Sequence, residues 1–159
     1  MQVKKKVSSS SAVNAVGTYS LGEEIANAVT HGLAVLLSIA GLVLMIIFAV
    51  RQSAGALAIV STSIFGASMI ILYTVSTLYH AIPNLRAKRV LQVLDHSAIY
   101  ILIAGSYTPF CLITLGGTTG IVLCSVVWII ALFGACFQPL LLRAADWLNL
   151  SLIHISEPT

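Results

Sequence analysis

Four long apolar runs, separated by short polar stretches, organise this chain. The first extends from Gly32 to Val50 and is closed by Arg51. The second extends from Ala56 to Tyr79 and stops at His80, with Pro83 close behind to forbid further helix. From His96 to Leu142 the sequence holds no Asp, Glu, Lys or Arg. That stretch is too long for one bilayer crossing, which takes about 20 residues. Leu115-Gly116-Gly117-Thr118-Thr119-Gly120 has the composition of a turn, so it divides the stretch into spans at 97–115 and 120–141. The pattern predicts an all-α fold, a polytopic transmembrane helix bundle with four spans. Pro109 falls inside the third span, where it removes a donor. It is expected to kink the helix and release the Gly105 carbonyl.

Ahead of the first span, LGEEIANAVTH at 21–31 sets Glu24, Asn27 and His31 at i, i+3 and i+7, one helical face. It reads as an interfacial helix feeding the first span. Its polar residues are either part of a site or ordinary headgroup neighbours. Residues 1–20 read as a disordered cytoplasmic tail anchored by Lys4-Lys5-Lys6, because no apolar core of signal-peptide length follows the lysines. Residues 150–159, LSLIHISEPT, match the translation of a transposase adapter used in sequencing libraries. They are expected to be an artefact, which leaves 21–149 as the membrane domain and puts His154 and Glu157 outside any site.

Composition strengthens the membrane reading. Of 159 residues 58% are apolar and only 8% charged, with a mean hydropathy of +1.02. A soluble domain carries about 25% charged residues, so this chain cannot wet the surface of a globule, and the lipid bilayer is the partner it demands. No basic or aromatic face accompanies the lysines, which argues against nucleic acid. Cys111, Cys124 and Cys136 lie inside apolar runs without zinc or disulfide spacing and read as small packing residues.

The placement of charge orients the chain. Lys4–Lys6 precede the first span, Arg86, Lys88 and Arg89 separate the second from the third, and Arg143 follows the fourth. The opposite connections contain only Arg51. The positive-inside rule then puts the N-terminus, the 81–96 loop and the C-terminus in the cytoplasm. Glu24, Asn27, His31, Ser76, His80 and Asp95 all gather near the cytoplasmic leaflet, delivered by three separate segments.

Two of these resist a bland reading. Asp95 costs about 2.5 to 3.5 kcal/mol at the centre of an inserted helix, so it should face a partner, a cavity or an ion. Lys88 and Arg89 are close enough in sequence to be its partners. Ser76 and His80 are four apart and share a helical face. Neutral imidazole is a common zinc ligand, and a catalytic zinc site takes three protein ligands and an open position. His80 is the one well-placed ligand. Asp95 is a ligand or a carboxylate that orients water, and His31 is a possible third contributor. His96 follows Asp95 directly and points about 100° away from it on a helix. The alternative is that His80 and His96 sit in the headgroup region, which welcomes half-polar rings.

EEIANAVTHG at 23–32, STLYHAIP at 76–83 and LDHSAIYILIAGSYTPF at 94–110 resemble the signature segments of bacterial hemolysin III proteins. These group with the progestin and adipoQ receptors and, more distantly, with alkaline ceramidases. The likeness covers about residues 19–143. It implies seven helices in a bacterial inner membrane, a cytoplasmic N-terminus, and a zinc ion in the cytoplasmic half of the bundle. His80 would be a ligand, and Ser76 and Asp95 would be close to the ion, with Asp95 touching its water. A His-x-x-x-His pair on the seventh helix would complete the ligand set, and this sequence has no such pair. Two function classes follow: a zinc hydrolase acting on a lipid amide or ester, with Ser76 and Asp95 in its catalytic centre, or a pore-forming cytolysin or homeostasis protein without catalysis. Clustering of polar residues at one leaflet, in place of polar stripes along whole spans, favours the ion site.

Overall fold

The computed structural model describes the backbone of residues 19–156, without the side chains of 141–143 and 145–156. The lysine-rich tail at 1–18 and residues 157–159 lie outside it. Four long helices fill the described chain: α1 Leu21–Arg51, α2 Gly55–Ala81, α3 Leu85–Pro109 and α4 Gly117–Ser156, with a π-helical turn at Phe110–Leu115 after α3. All four are long and apolar enough to cross a membrane, the span in α4 covering Gly117–Leu140.

α1 starts where Ser20 caps it. The Ser20 hydroxyl accepts from the Glu23 N–H at 3.3 Å, and the Glu23 carboxylate accepts from the Ser20 N–H at 2.7 Å, a reciprocal capping box. No break follows at Gly32, so the separate interfacial helix expected at 21–31 is the first part of one continuous helix. At 31 residues it is about 46 Å long. The hydrocarbon core is about 30 Å thick, so the polar first turns still reach the interface.

The expected 81–96 loop is largely helix. Only residues 82–84 connect α2 to α3, because Asn84 caps α3 by accepting from the Arg86 and Ala87 N–H groups at 3.0 and 3.2 Å. Asp95, expected at the mouth of a span, therefore lies within a helix that began ten residues earlier. Past Pro109 the helix changes to the π turn, where the Phe110 N–H donates to the Tyr107 carbonyl and the Gly116 N–H to the Cys111 carbonyl. Gly116 and Gly117 then reverse the chain with φ of 61° and 56°, left-handed values suited to glycine. α4 continues as helix through 150–156, into the segment the sequence reading set aside as an adapter.

Successive helices run antiparallel, and among the described residues each long helix packs only on its neighbours in the chain. The result is a row, α1 to α4, with α2 and α3 in the middle. Small side chains let the helices approach. Gly66 receives Leu42 of α1, Gly105 receives Ser68 of α2, and Gly134 receives the Tyr100 ring. Ser61, Ser68 and Thr108 are buried, and each hydroxyl donates to a carbonyl of its own helix. The outer faces carry Leu36, Leu37, Phe48, Ile129, Ile130 and Phe133, all exposed. That apolar surface needs a bilayer around it.

Candidate functional site

The antiparallel row brings the start of α1, the end of α2 and the start of α3 to one end of the molecule. Each contributes polar side chains at two depths. In the outer layer, Glu24 of α1 stands between two donors. Its Oε2 accepts from His80 Nδ1 of α2 at 2.9 Å, and its Oε1 accepts from Lys88 Nζ of α3 at 2.5 Å. The three side chains are largely withdrawn from the surface, with relative exposures of 13% for Glu24, 6% for His80 and 13% for Lys88. Tyr79 is buried beside them. Its ring lies 4.7 Å from that of His80, and Lys88 Nζ sits 5.4 Å from its centroid.

The inner layer lies one to two turns deeper. His31 is seven residues beyond Glu24, about 10 Å further along α1. Its Nδ1 is 2.6 Å from the Ser76 hydroxyl, and Ser76 is buried. The rings of His31 and His80 lie edge to face at 5.9 Å. Asp95 is seven residues beyond Lys88 and shares its face of α3. Its half-buried carboxylate makes no hydrogen bond or ion pair among the described residues.

The structure thus joins Glu24, His31, Ser76 and His80 from the sequence candidates. Asn27 lies on the same face of α1, half buried, without a side-chain hydrogen bond among the described residues. His96 stands apart, because its Nδ1–H donates to the Gln92 carbonyl of its own helix at 2.8 Å. Lys88 does not pair with Asp95 as its sequence proximity suggested. It reaches instead to Glu24, 64 residues away. Sequence reasoning missed the Glu24–Lys88 pair and the part played by Tyr79, and no local signal marked either. Positive charge near the end of a span was visible, but its partner was not.

The donor set can be tested against the ion that the resemblance implies. A carboxylate only accepts, so the proton between Glu24 and His80 is on Nδ1, and in the neutral ring Nε2 keeps its lone pair. Metal-bound histidines are generally held in this way, with the other nitrogen donating to a carboxylate. Imidazole and carboxylate are also the donor types that zinc accepts. The described residues nevertheless contain no group of three His, Cys, Asp or Glu side chains placed to hold an ion. They fit one corner of a zinc site, and the other ligands would have to come from elsewhere.

Four helices long and apolar enough to span a bilayer, with a largely buried polar cluster at one end, define a multi-pass membrane protein. The family described as Haemolysin-III related matches residues 19–155, and the chain belongs to that family. It is 53% identical over 120 residues to the Hemolysin-3 homolog of Bacillus subtilis (strain 168), a match covering 76% of this chain and 56% of that protein. It is 45% identical over 126 residues to Hemolysin-3 of Bacillus cereus, covering 79% of this chain and 57% of that protein. The chain thus spans little more than half the length of these relatives. No solved structure matches it.

Proposed function

We propose that this chain supplies part of a hydrolytic site inside the membrane, acting on an amide or ester bond of a lipid, with His80 as a zinc ligand through Nε2. The observation that supports this most is the Glu24–His80 hydrogen bond at 2.9 Å, which leaves Nε2 as the nitrogen able to ligate. When bound, zinc lowers the pKa of water and polarises a carbonyl. Asp95 is the one carboxylate of the cluster without a partner among the described residues, so it is the candidate to orient the attacking water and accept its proton. Ser76 holds His31, whose ring lies edge to face with that of His80. The exposed apolar faces admit an acyl chain from the bilayer without crossing water.

The names of the two relatives favour a second reading, a cytolytic role. The buried hydroxyls of Ser38, Ser61, Ser68 and Thr108 argue against a water lane through these four helices, since each donates to a carbonyl of its own helix. We further propose a cytoplasmic orientation for the site in a bacterial inner membrane, on the strength of Arg86, Lys88 and Arg89 at the site end against Arg51 at the other.

The test uses a longer family member carrying the same three segments. His80→Ala at the matching position should remove most bound zinc. Asp95→Ala should leave zinc in place and abolish release of fatty acid from a ceramide or ester probe. Zinc retained in the first variant would overturn the ligand role, and hydrolysis retained in the second would overturn the base.

A further inference from the structure

We infer that Glu24 and Lys88 form a clamp that positions His80, selecting its ring tautomer and fixing the direction of Nε2. The link to zinc rests on the function proposed above, but the clamp itself does not. Both Glu24 oxygens are engaged, Oε2 by His80 and Oε1 by Lys88, so the carboxylate is held at two points and cannot turn without breaking one of them. The three residues come from three helices, with separations of 56 residues between Glu24 and His80 and 64 between Glu24 and Lys88. The backbones of α1 and α3 do not pack on each other in the described row. The Glu24–Lys88 bond therefore bridges the end of α2 by side chains alone.

Each member of the clamp has a separable task. Glu24 selects the tautomer, because a carboxylate accepts from Nδ1–H and offers nothing to an unprotonated Nδ1. Lys88 holds the second oxygen and balances the charge of Glu24 where water is scarce. Without that balance a carboxylate at this depth would be expensive. Tyr79 confines the lysine and the histidine, since its ring contacts both and is only 2% exposed. Glu24 and Lys88 act through His80 and are positioning residues.

The test reads the tautomer directly, by nitrogen NMR of the ¹⁵N-histidine-labelled chain in lipid nanodiscs. The His80 signals are assigned by their loss in His80→Gln. The wild-type ring should carry its proton on Nδ1. Glu24→Gln should keep it there, because the amide oxygen can still accept. Glu24→Leu should release it to a mixture of tautomers. Because Glu24→Leu leaves Lys88 unpaired and could prevent folding, the double variant Glu24→Leu with Lys88→Met removes both charges together. It should show the same release with unchanged helicity. A wild-type proton on Nε2, or Nδ1–H retained in the folded double variant, would overturn the clamp.

A second arm measures zinc affinity by chelator competition in a longer family member. The change matching Glu24→Leu should weaken zinc by about 10–100-fold, the range for losing a hydrogen-bond partner of a ligating histidine. Lys88→Met should weaken it less, and Lys88→Arg should restore it. Unchanged zinc in Glu24→Leu, with zinc lost in His80→Ala, would also overturn the clamp. Zinc unaffected by His80→Ala would instead overturn the ligand role while leaving the tautomer result intact.

Discussion

The hydroxyl of Ser97 on α3 donates to the carbonyl of Ala135 on α4 at 3.2 Å. That carbonyl has lost its usual donor, because the residue four positions on is Pro139, which has no N–H. Ser97 thus repairs, from a neighbouring helix, a gap that proline opens in α4. In a membrane this is the usual way such a carbonyl is satisfied.

Removing that donor should destabilise the pairing of α3 and α4. The distance is long for an O–H···O bond, and interhelical hydrogen bonds in membranes average about 0.6 kcal/mol. Ser97→Ala should therefore cost roughly 0.5 to 1 kcal/mol, measured by denaturant unfolding in mixed micelles. In a Pro139→Ala background the cost should shrink, since the substituted alanine restores the intrahelical donor. An equal cost in both backgrounds would rule out the repair.

Close packing at Gly105 offers a second test. A Cβ there would overlap the Ser68 side chain, whose own Cβ lies 2.8 Å away. Gly105→Ala should destabilise the chain by about 1–3 kcal/mol through overpacking. Adding Ser68→Gly should recover much of the loss. Unfolding midpoints of the two single variants and the pair decide the matter. A neutral Gly105→Ala would show that α2 and α3 are not in contact at this point.

Orientation is open to cysteine labelling. In a background with the three native cysteines replaced, a membrane-impermeant maleimide on intact cells should label Ser53→Cys and leave Asn84→Cys unlabelled. These positions lie in the α1–α2 and α2–α3 connections, at opposite ends of the row. The reverse pattern would put the site at the outer leaflet.

Zinc content provides a fourth. The described residues offer no group of three donors, so this 159-residue chain should purify without stoichiometric zinc. Elemental analysis of the chain in detergent gives the answer. One zinc per chain, lost in His31→Ala or His96→Ala, would mean that those residues supply ligands assigned here to other parts of a longer protein.

By itself the sequence determined that the chain is helical, that it crosses the membrane four times, and that its polar residues gather at one end. Those properties follow from local quantities. Transfer free energy adds up along a run of side chains, and the 100° step places Glu24 with His31, and Ser76 with His80, on single faces. Even so, α3 starts twelve residues ahead of the apolar span expected at 97, because Asn84 caps a stretch of charged but helix-forming residues that hydropathy alone does not count as span. The pairings were decided only by the tertiary structure. Glu24 takes Lys88, Asp95 is left without it, His31 takes Ser76, and His96 folds back on its own backbone. Those choices depend on the rotation and depth of each helix against the next. Both are fixed where Gly66, Gly105 and Gly134 let a neighbouring side chain reach the backbone, contacts between residues 24 to 37 positions apart in the chain. No window of sequence contains that information.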